Sequence, residues 1–292
     1  MFIPHKKGQI TLFIIIGILI LISAILFVYF KKEMRNIPEP EIEIITSQPL
    51  SINPIKLYIE ACIENTAKNG IFLVSVNGGY ISPSGIAKYN EPGDWALIED
   101  DYYYFENANL PYLINKNIIK IRSKNEIEKI LSNYITVELD SCLTNFSPFK
   151  NQGFIFEYPQ LNLTSNKSNV SVLIEKDSVS IKLYWPIVIK KEDYQTKIDT
   201  FQGSIDLRIG MLYSIAQQLI ADISRYQPFD ISEHCKEYLP EDNLINIYLE
   251  SNPYTYEYVI RIVDAQPLLK GSMPLKFQFA VKNKEVYGEC VG

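Results

Sequence analysis

The chain has 292 residues, of which 47% are hydrophobic and 21% are charged, and its formal net charge at pH 7 is −6. This length is enough for one large domain or two small ones. The acidic balance, with no block rich in Lys and Arg, argues against a nucleic-acid-binding protein.

The first element is an apolar segment that contains no charged residue, from Ile10 to Phe30. A helix of this length measures roughly 30 Å, the thickness of the hydrocarbon core of a bilayer. A buried core helix needs a shorter apolar run, and a secretory signal peptide would end in small residues at a cleavage site. This segment instead ends in aromatic residues and Lys31-Lys32, which favours an interfacial anchor. The sequence therefore predicts a single transmembrane helix within residues 9–35.

A short basic leader with Lys6-Lys7-Gly8-Gln9 stands in front of this helix. The arrangement resembles the class III signal peptide of archaeal type IV pilins, over about the first 30 residues. The resemblance implies cleavage by a prepilin peptidase between Gly8 and Gln9, which removes residues 1–8 and leaves the helix attached. It also implies contacts of that helix with other pilin-like or envelope subunits. Phe13 stands at the fifth mature position, where the family often carries Glu.

Lysines flank the helix on both sides, so the positive-inside rule does not decide on which side of the membrane the remaining chain lies. Two further patterns bear on this question. The cysteines are even in number, as expected for two disulfides in an oxidising compartment: Cys62, Cys142, Cys235 and Cys290. The N-glycosylation acceptor pattern occurs at four asparagines: Asn145, Asn162, Asn166 and Asn169. With the leader, these patterns predict an extracytoplasmic domain.

Prolines at positions 38, 40, 49 and 54 predict an extended stalk over residues 36–54, followed by the domain at 55–292. Apolar residues at helical spacing predict a first helix from Pro54 to about Asn69, which Gly70 would end.

The segment from Asn77 to Phe105 contains three patterns with more than one interpretation. The Gly78-Gly79 pair predicts a turn rather than a phosphate site, because the spacing and the Lys of a P-loop are missing. Residues 99–101 are acidic but lack the ligand spacing of an EF-hand, so a solvated turn is favoured over a Ca²⁺ site. The aromatic run at 102–105 is expected to pack as a strand, with an exposed contact platform as the alternative.

Ser123 and Glu126 form a capping box that predicts the start of the next helix, which Pro148 would end. Cys142 lies on the apolar face of this helix and Cys62 on that of the first helix, so a disulfide between them is geometrically reasonable. Cys235 and Cys290 are the natural second pair, although the sequence leaves three connectivities open.

From Gly153 onward the hydrophobic period changes to two. Strands are predicted at 154–158, 170–175, 179–189, 196–207, 244–250, 256–264 and 275–281. Pro186 predicts an edge position or a bulge. Asp206 is expected to cap a helix at 207–226, and residues 229–239 are expected to contain a short helical piece.

The predicted fold class is therefore α+β. An N-terminal transmembrane helix is followed by an ectodomain of mixed helices and a mostly antiparallel sheet.

The sequence offers little catalytic chemistry. His5 lies in the leader, and His234 beside Cys235 has no second histidine nearby, which favours a structural role. None of the common hydrolase, nucleotide or zinc motifs is found. We expect no catalytic residue, metal or cofactor.

The sequence thus predicts a membrane-anchored surface protein, similar to type IV pilins: a minor pilin, adhesin or envelope component that works by contact. Its expected partners are the lipid bilayer, other envelope subunits and a surface on another cell, but not nucleic acid. One alternative is a non-filament subunit of the secretion or pilus-assembly machinery. A membrane-bound hydrolase with two carboxylates is the least favoured.

Overall fold

The computed structural model describes residues 52–81, 102–105, 108–116, 118–161, 169–240, 244–252, 256–267 and 274–291. The predicted leader and anchor lie outside these ranges, and so does the predicted stalk apart from its last residues. The acidic group at 99–101 also lies outside them. Within these ranges, no helix combines the length and the apolar character needed to cross a membrane. The compact unit to which the described residues belong runs from Leu50 to Gly292.

The described α-helices are α1 (Asn53–Val76), α2 (Lys124–Leu143), α3 (Ser147–Lys150), α4 (Ile209–Arg225) and α5 (Cys235–Tyr238). The strands of the first half are β1 (Tyr102–Phe105), β2 (Ala108–Asn115), β3 (Ile118–Ile119), β4 (Ile155–Glu157), β5 (Asn169–Ile174) and β6 (Val179–Lys191). Those of the second half are β7 (Tyr194–Ile205), β8 (Phe229–Asp230), β9 (Ile245–Asn252), β10 (Glu257–Pro267), β11 (Pro274–Lys282) and β12 (Val286–Tyr287). The described part of the chain is thus mixed α and β, as predicted.

Helix α1 continues through the position where the sequence predicts its end. Gly70 lies inside the helix and faces α2, where an added Cβ would stand 2.7 Å from Cδ1 of Tyr134. This glycine therefore allows close helix packing, and the expectation that it ends the helix is wrong. The chain turns instead at Gly78 and Gly79, whose φ angles are +59° and +97°. The predicted turn at this pair is confirmed.

Helix α2 begins with the predicted capping box. The backbone N–H of Ser123 donates to Oε2 of Glu126 at 2.7 Å, and the N–H of Glu126 donates to the Ser123 hydroxyl at 3.3 Å. The helix ends at Leu143, earlier than Pro148, because the next three residues adopt left-handed conformations. Pro148 instead lies in the first turn of α3.

Strand β6 is the centre of a four-stranded antiparallel sheet. It pairs along its length with β7 and, in its two halves, with β5 and β4. Alternate residues of β6 from Val179 to Ile189 are buried, as the sequence predicts. The register with β7 shifts between Tyr184 and Ile187, so Pro186 marks the predicted bulge.

The second sheet has six strands in the order β1-β2-β11-β10-β9, with β3 attached to β2. All its pairings are antiparallel except that of β2 with β11. Strands β8 and β12 form a separate parallel pair. Helix α1 contacts β7 and β11, α2 contacts β5, and α4 contacts β10 and β11. The two sheets and three helices share one core that includes Phe146, Trp185, Phe201, Phe277 and Phe279.

Helix α4 begins at Ile209, with Arg208 as its N-cap residue and no side-chain capping bond. The expectation that Asp206 caps this helix is wrong. The start of α4 is fixed by tertiary contacts: Arg208 forms a buried ion pair with Asp264 of β10. Gly210 lies against the hairpin turn after β5, where an added Cβ would be 2.0 Å from the carbonyl oxygen of Glu175.

Candidate contact face

The outer face of the four-stranded sheet carries side chains that alternate with the buried core residues of β5, β6 and β7. The strand register places Leu173 beside Ser180 and Ser204, Ser171 beside Lys182 and Gln202, and Tyr184 beside Thr200. We call these eight residues the contact face. Each is exposed or partly exposed, and Leu173 and Tyr184 keep 49% and 47% of their surface in solvent.

Two carboxylates from α1 hold the edge of β7 beside this face. The backbone N–H of Gln202 donates to Oε1 of Glu60 at 3.2 Å, and that of Ser204 donates to Oε1 of Glu64 at 3.4 Å. Between them Gly203 allows α1 to approach, since an added Cβ would lie 3.0 Å from Cγ of Glu64. The carboxylates thus satisfy edge N–H groups that would otherwise be open to another strand.

The opposite edge of the sheet, at the end of β5, is held in the same way by α2. The N–H of Ile174 donates to Oε1 of Glu128 at 2.9 Å, and its carbonyl accepts from Nζ of Lys124 at 3.0 Å. Lys124 and Glu128 also lie 3.9 Å apart. Helix side chains therefore hold the backbone at both edges of the strands that carry the contact face, at β7 and at the end of β5.

An open groove of about 630 Å³ runs over this face, between the sheet and Glu60 and Glu64. Its hydroxyl, amide, ammonium and carboxylate groups can donate and accept hydrogen bonds, while Leu173 offers apolar contact. No Cys or His belongs to the contact face, so it has neither a thiol nucleophile nor an imidazole base.

A second cleft, of about 490 Å³, lies between the start of α4, the turn after β5 and the residues after α5. It contains two carboxylates, of Glu175 and Glu237. Each has a partner in its own turn: Glu175 accepts from the Ser178 hydroxyl at 2.9 Å, and Glu237 lies 3.4 Å from Nδ1 of His234. These contacts orient each carboxylate without joining the two.

Three buried tyrosines have pKa values above their usual range, in each case mainly because burial disfavours the phenolate. The pKa of Tyr213 is raised to about 12, and its hydroxyl donates to the carbonyl of Arg122 at 2.7 Å. The pKa values of Tyr112 and Tyr238 are raised further by hydrogen bonds to Glu257 and Asp222. All three therefore stay protonated donors at neutral pH and act as structural groups.

The four cysteines form two disulfides, Cys62–Cys142 and Cys235–Cys290, with Cα–Cα distances of 5.6 Å and 5.5 Å. These are the pairs that the sequence favours. The first joins α1 to α2. The second holds the C-terminal segment, where Cys290 also exchanges two backbone hydrogen bonds with Ile247 of β9.

The remaining predicted sites are not brought together in the structure. Asn145 lies on the exposed turn between α2 and α3, and Asn169 is the first residue of β5. The cleavage residues Gly8 and Gln9, together with Asn162 and Asn166, lie outside the described residues.

His234 stacks on Phe229, with ring centroids 5.1 Å apart, which fits the structural role expected for it. Across the residues that the structure describes, no three His, Cys, Asp or Glu side chains are grouped so as to hold a metal ion. In the aromatic run, Tyr103 is partly buried and lies 6.2 Å from the ring of Tyr112, as expected for packing.

Sequence reasoning missed the carboxylates that hold the sheet edges. Glu60 and Glu64 are spaced four residues apart, which places them on one side of α1 but does not identify what they contact. Their partners in β7 are separated from them by 142 and 140 residues along the chain. Only the tertiary structure could reveal this role.

No protein-family model, curated protein or solved structure matches this chain.

Proposed function

We propose that the chain is a membrane-anchored cell-surface protein, similar to type IV pilins, that acts by contact with other proteins or surfaces. The uncharged segment from Ile10 to Phe30, behind the leader that ends in Gly8, provides the anchor. The observation that carries the proposal is the pairing of the four cysteines in a chain with such a segment.

Both disulfides support an extracytoplasmic domain. They join residues 80 and 55 positions apart, and their Cα–Cα distances lie in the range that a disulfide spans without backbone movement. Outside hyperthermophiles, cytosolic reductants keep such thiols reduced, whereas an oxidising compartment preserves the bonds. A domain stabilised in this way fits the outer side of the cell membrane.

The contact face supports a binding role for that domain. It is open, its edges are fixed by α1 and α2, and it combines polar groups with the exposed side chains of Leu173 and Tyr184. A strand backbone that is already held in place loses little conformational freedom on binding, so more of the interaction free energy remains as affinity. The partner is another envelope subunit or a surface on another cell. The N-terminal helix would pack against the helices of pilin-like subunits.

A non-filament subunit of the secretion or pilus-assembly machinery is the alternative from the same features. Electron microscopy of surface filaments with a label on this chain separates the two roles. Label along the fibre supports a minor pilin, and label confined to the cell envelope supports an assembly subunit.

A hydrolase is the least supported role. Its activity would reside in the cleft that contains Glu175 and Glu237.

The test is the intact mass of the protein from native membranes, before and after reduction. We expect the polypeptide part of this mass to lack residues 1–8, and reduction should add the mass of four hydrogen atoms, two for each disulfide. Retained Met1 together with four free thiols would overturn the proposal.

Orientation can be tested independently with an amine reagent that does not cross membranes. Lys176 on the turn after β5 and Lys236 in α5 are exposed, and both lie outside the contact face. We expect both to be labelled in intact cells. Labelling only after lysis would place the domain in the cytosol and contradict the proposal.

A further inference from the structure

Asn145 occupies a turn with an unusual backbone. Thr144, Asn145 and Phe146 all have positive φ angles, +44°, +54° and +56°. This conformation is costly for most residues, and Asn tolerates it better than others. The turn projects Asn145 and Ser147 into solvent, while Phe146 between them is 1% exposed.

The orientation of the Asn145 amide follows from its two partners. Nζ of Lys150 lies 2.8 Å from Oδ1 of Asn145, and the hydroxyl of Tyr158 lies 2.9 Å from the same oxygen. An ammonium group can only donate, so the amide oxygen must face Lys150. The amide nitrogen Nδ2 is therefore on the side of the group away from both donors.

The turn is fixed to the core on both sides of Asn145. Phe146 stacks on Phe156 with ring centroids 4.4 Å apart. The hydroxyl of Tyr58 lies 3.1 Å from the carbonyl oxygens of both Cys142 and Leu143, next to the Cys62–Cys142 disulfide. The exposed position of Asn145 is thus a property of the fold rather than of a loose loop.

We propose that Asn145 is a site of N-linked glycosylation in the Asn145-Phe146-Ser147 acceptor pattern. The inference rests on the extracytoplasmic location in the proposed function. The co-reactant is a saccharide carried on a lipid phosphate. The Asn145 Nδ2 bonds to the anomeric carbon of the sugar, and the bond from that carbon to the phosphate oxygen breaks. The lipid phosphate leaves with the electron pair, and the amide loses one proton to a base of the transferase.

The described hydrogen bonds survive this modification. A glycosylated amide keeps Oδ1 as an acceptor, so the contacts of Lys150 and Tyr158 remain, and only a hydrogen on Nδ2 is replaced. A saccharide is bulky and hydrophilic, which suits an exposed turn.

The test uses the full chain from native membranes, reduced and cleaved with trypsin. Cleavage after Lys129 and Lys150 gives a peptide over residues 130–150 in which Asn145 is the only acceptor pattern. We expect this peptide to carry the added mass of a saccharide. Ser147→Ala should abolish the added mass while Asn145 remains in place. Ser147→Thr should retain it, and so should the control Ser141→Ala, which changes an exposed serine outside the pattern.

Two outcomes would overturn the proposal. One is an unmodified peptide 130–150 from a wild-type chain whose disulfides are intact, which leaves the surface location standing. The other is an added mass that persists in Ser147→Ala. If the peptide is unmodified and the four thiols are also free, both this proposal and the proposed function fail.

Discussion

Arg208 and Asp264 form an ion pair with two contacts in the interior of the domain. Nε of Arg208 donates to Oδ2 of Asp264 at 2.8 Å, and Nη2 of the same guanidinium donates to Oδ1. The two side chains are 10% and 5% exposed. Arg208 precedes α4 and Asp264 lies in β10, so this pair fixes the start of a core helix against the six-stranded sheet.

Removing one partner of this pair should strongly destabilise the domain. Asp264→Ala leaves the Arg208 charge buried without its carboxylate, and we expect a loss of about 3–5 kcal/mol in the free energy of unfolding. Urea unfolding of the purified full chain, followed by tryptophan fluorescence, measures this loss. The control is Asp199→Ala, which breaks the exposed Lys197–Asp199 pair and should cost less than about 1 kcal/mol. Equal effects would show that the buried pair does not fix α4.

The edge of β7 should open locally when its carboxylate partners are removed. In the double variant Glu60→Ala and Glu64→Ala, the N–H groups of Gln202 and Ser204 lose their acceptors. We expect faster hydrogen exchange at these two amides and a loss of about 1 kcal/mol per bond. Asn65→Ala, on an exposed position of α1, is the control. Unchanged exchange in the double variant would contradict the role of α1 at this edge.

Stability should fall in acid through the capping box of α2. The Ser123 side chain, followed by its backbone N–H, lowers the pKa of Glu126 below its ordinary value of 4.5. Because the folded pKa is the lower one, the contribution of Glu126 is complete above pH 4.5 and is lost as pH falls through the folded pKa. Below pH 4.5, the free energy of unfolding should therefore decrease less steeply with falling pH in Glu126→Gln than in the wild type. Parallel curves for the variant and the wild type would refute this.

Alkaline pH should destabilise the fold through Tyr213. Burial raises its pKa to about 12 from an ordinary value of 10.0, so the folded state holds the proton more tightly than the unfolded state. The contribution to stability is complete below pH 10 and declines between pH 10 and about 12. Tyr213→Phe should reduce this decline, and an undiminished decline in this variant would contradict the role of Tyr213. The measurement is the free energy of unfolding across this pH range.

Several features could be predicted from short stretches of sequence because their causes are local. The capping box needs only Ser123 and Glu126, which are three residues apart. The buried face of β6 follows from alternation, and its bulge follows from Pro186. The contact face was implicit in the same alternation, but its identification required the register that places β5, β6 and β7 side by side.

Two predictions failed where a distant contact overrides the local signal. Gly70 has the properties of a helix end, yet it lies within α1 because Tyr134 of α2 packs against it. Asp206 has the properties of a helix cap, yet α4 begins after Arg208, whose partner is 56 residues away. In both cases the tertiary contact decides between conformations that the local sequence allows.

The sequence by itself determined the alternation of the strands and the start of α2, because both depend on neighbouring residues. The tertiary structure alone decided which carboxylates hold the edges of the sheet, where α1 and α4 begin or end, and how the amide of Asn145 is oriented. Each of these depends on atoms that are distant in the chain or on backbone angles that the fold imposes, and hydrophobic periodicity carries no information about either.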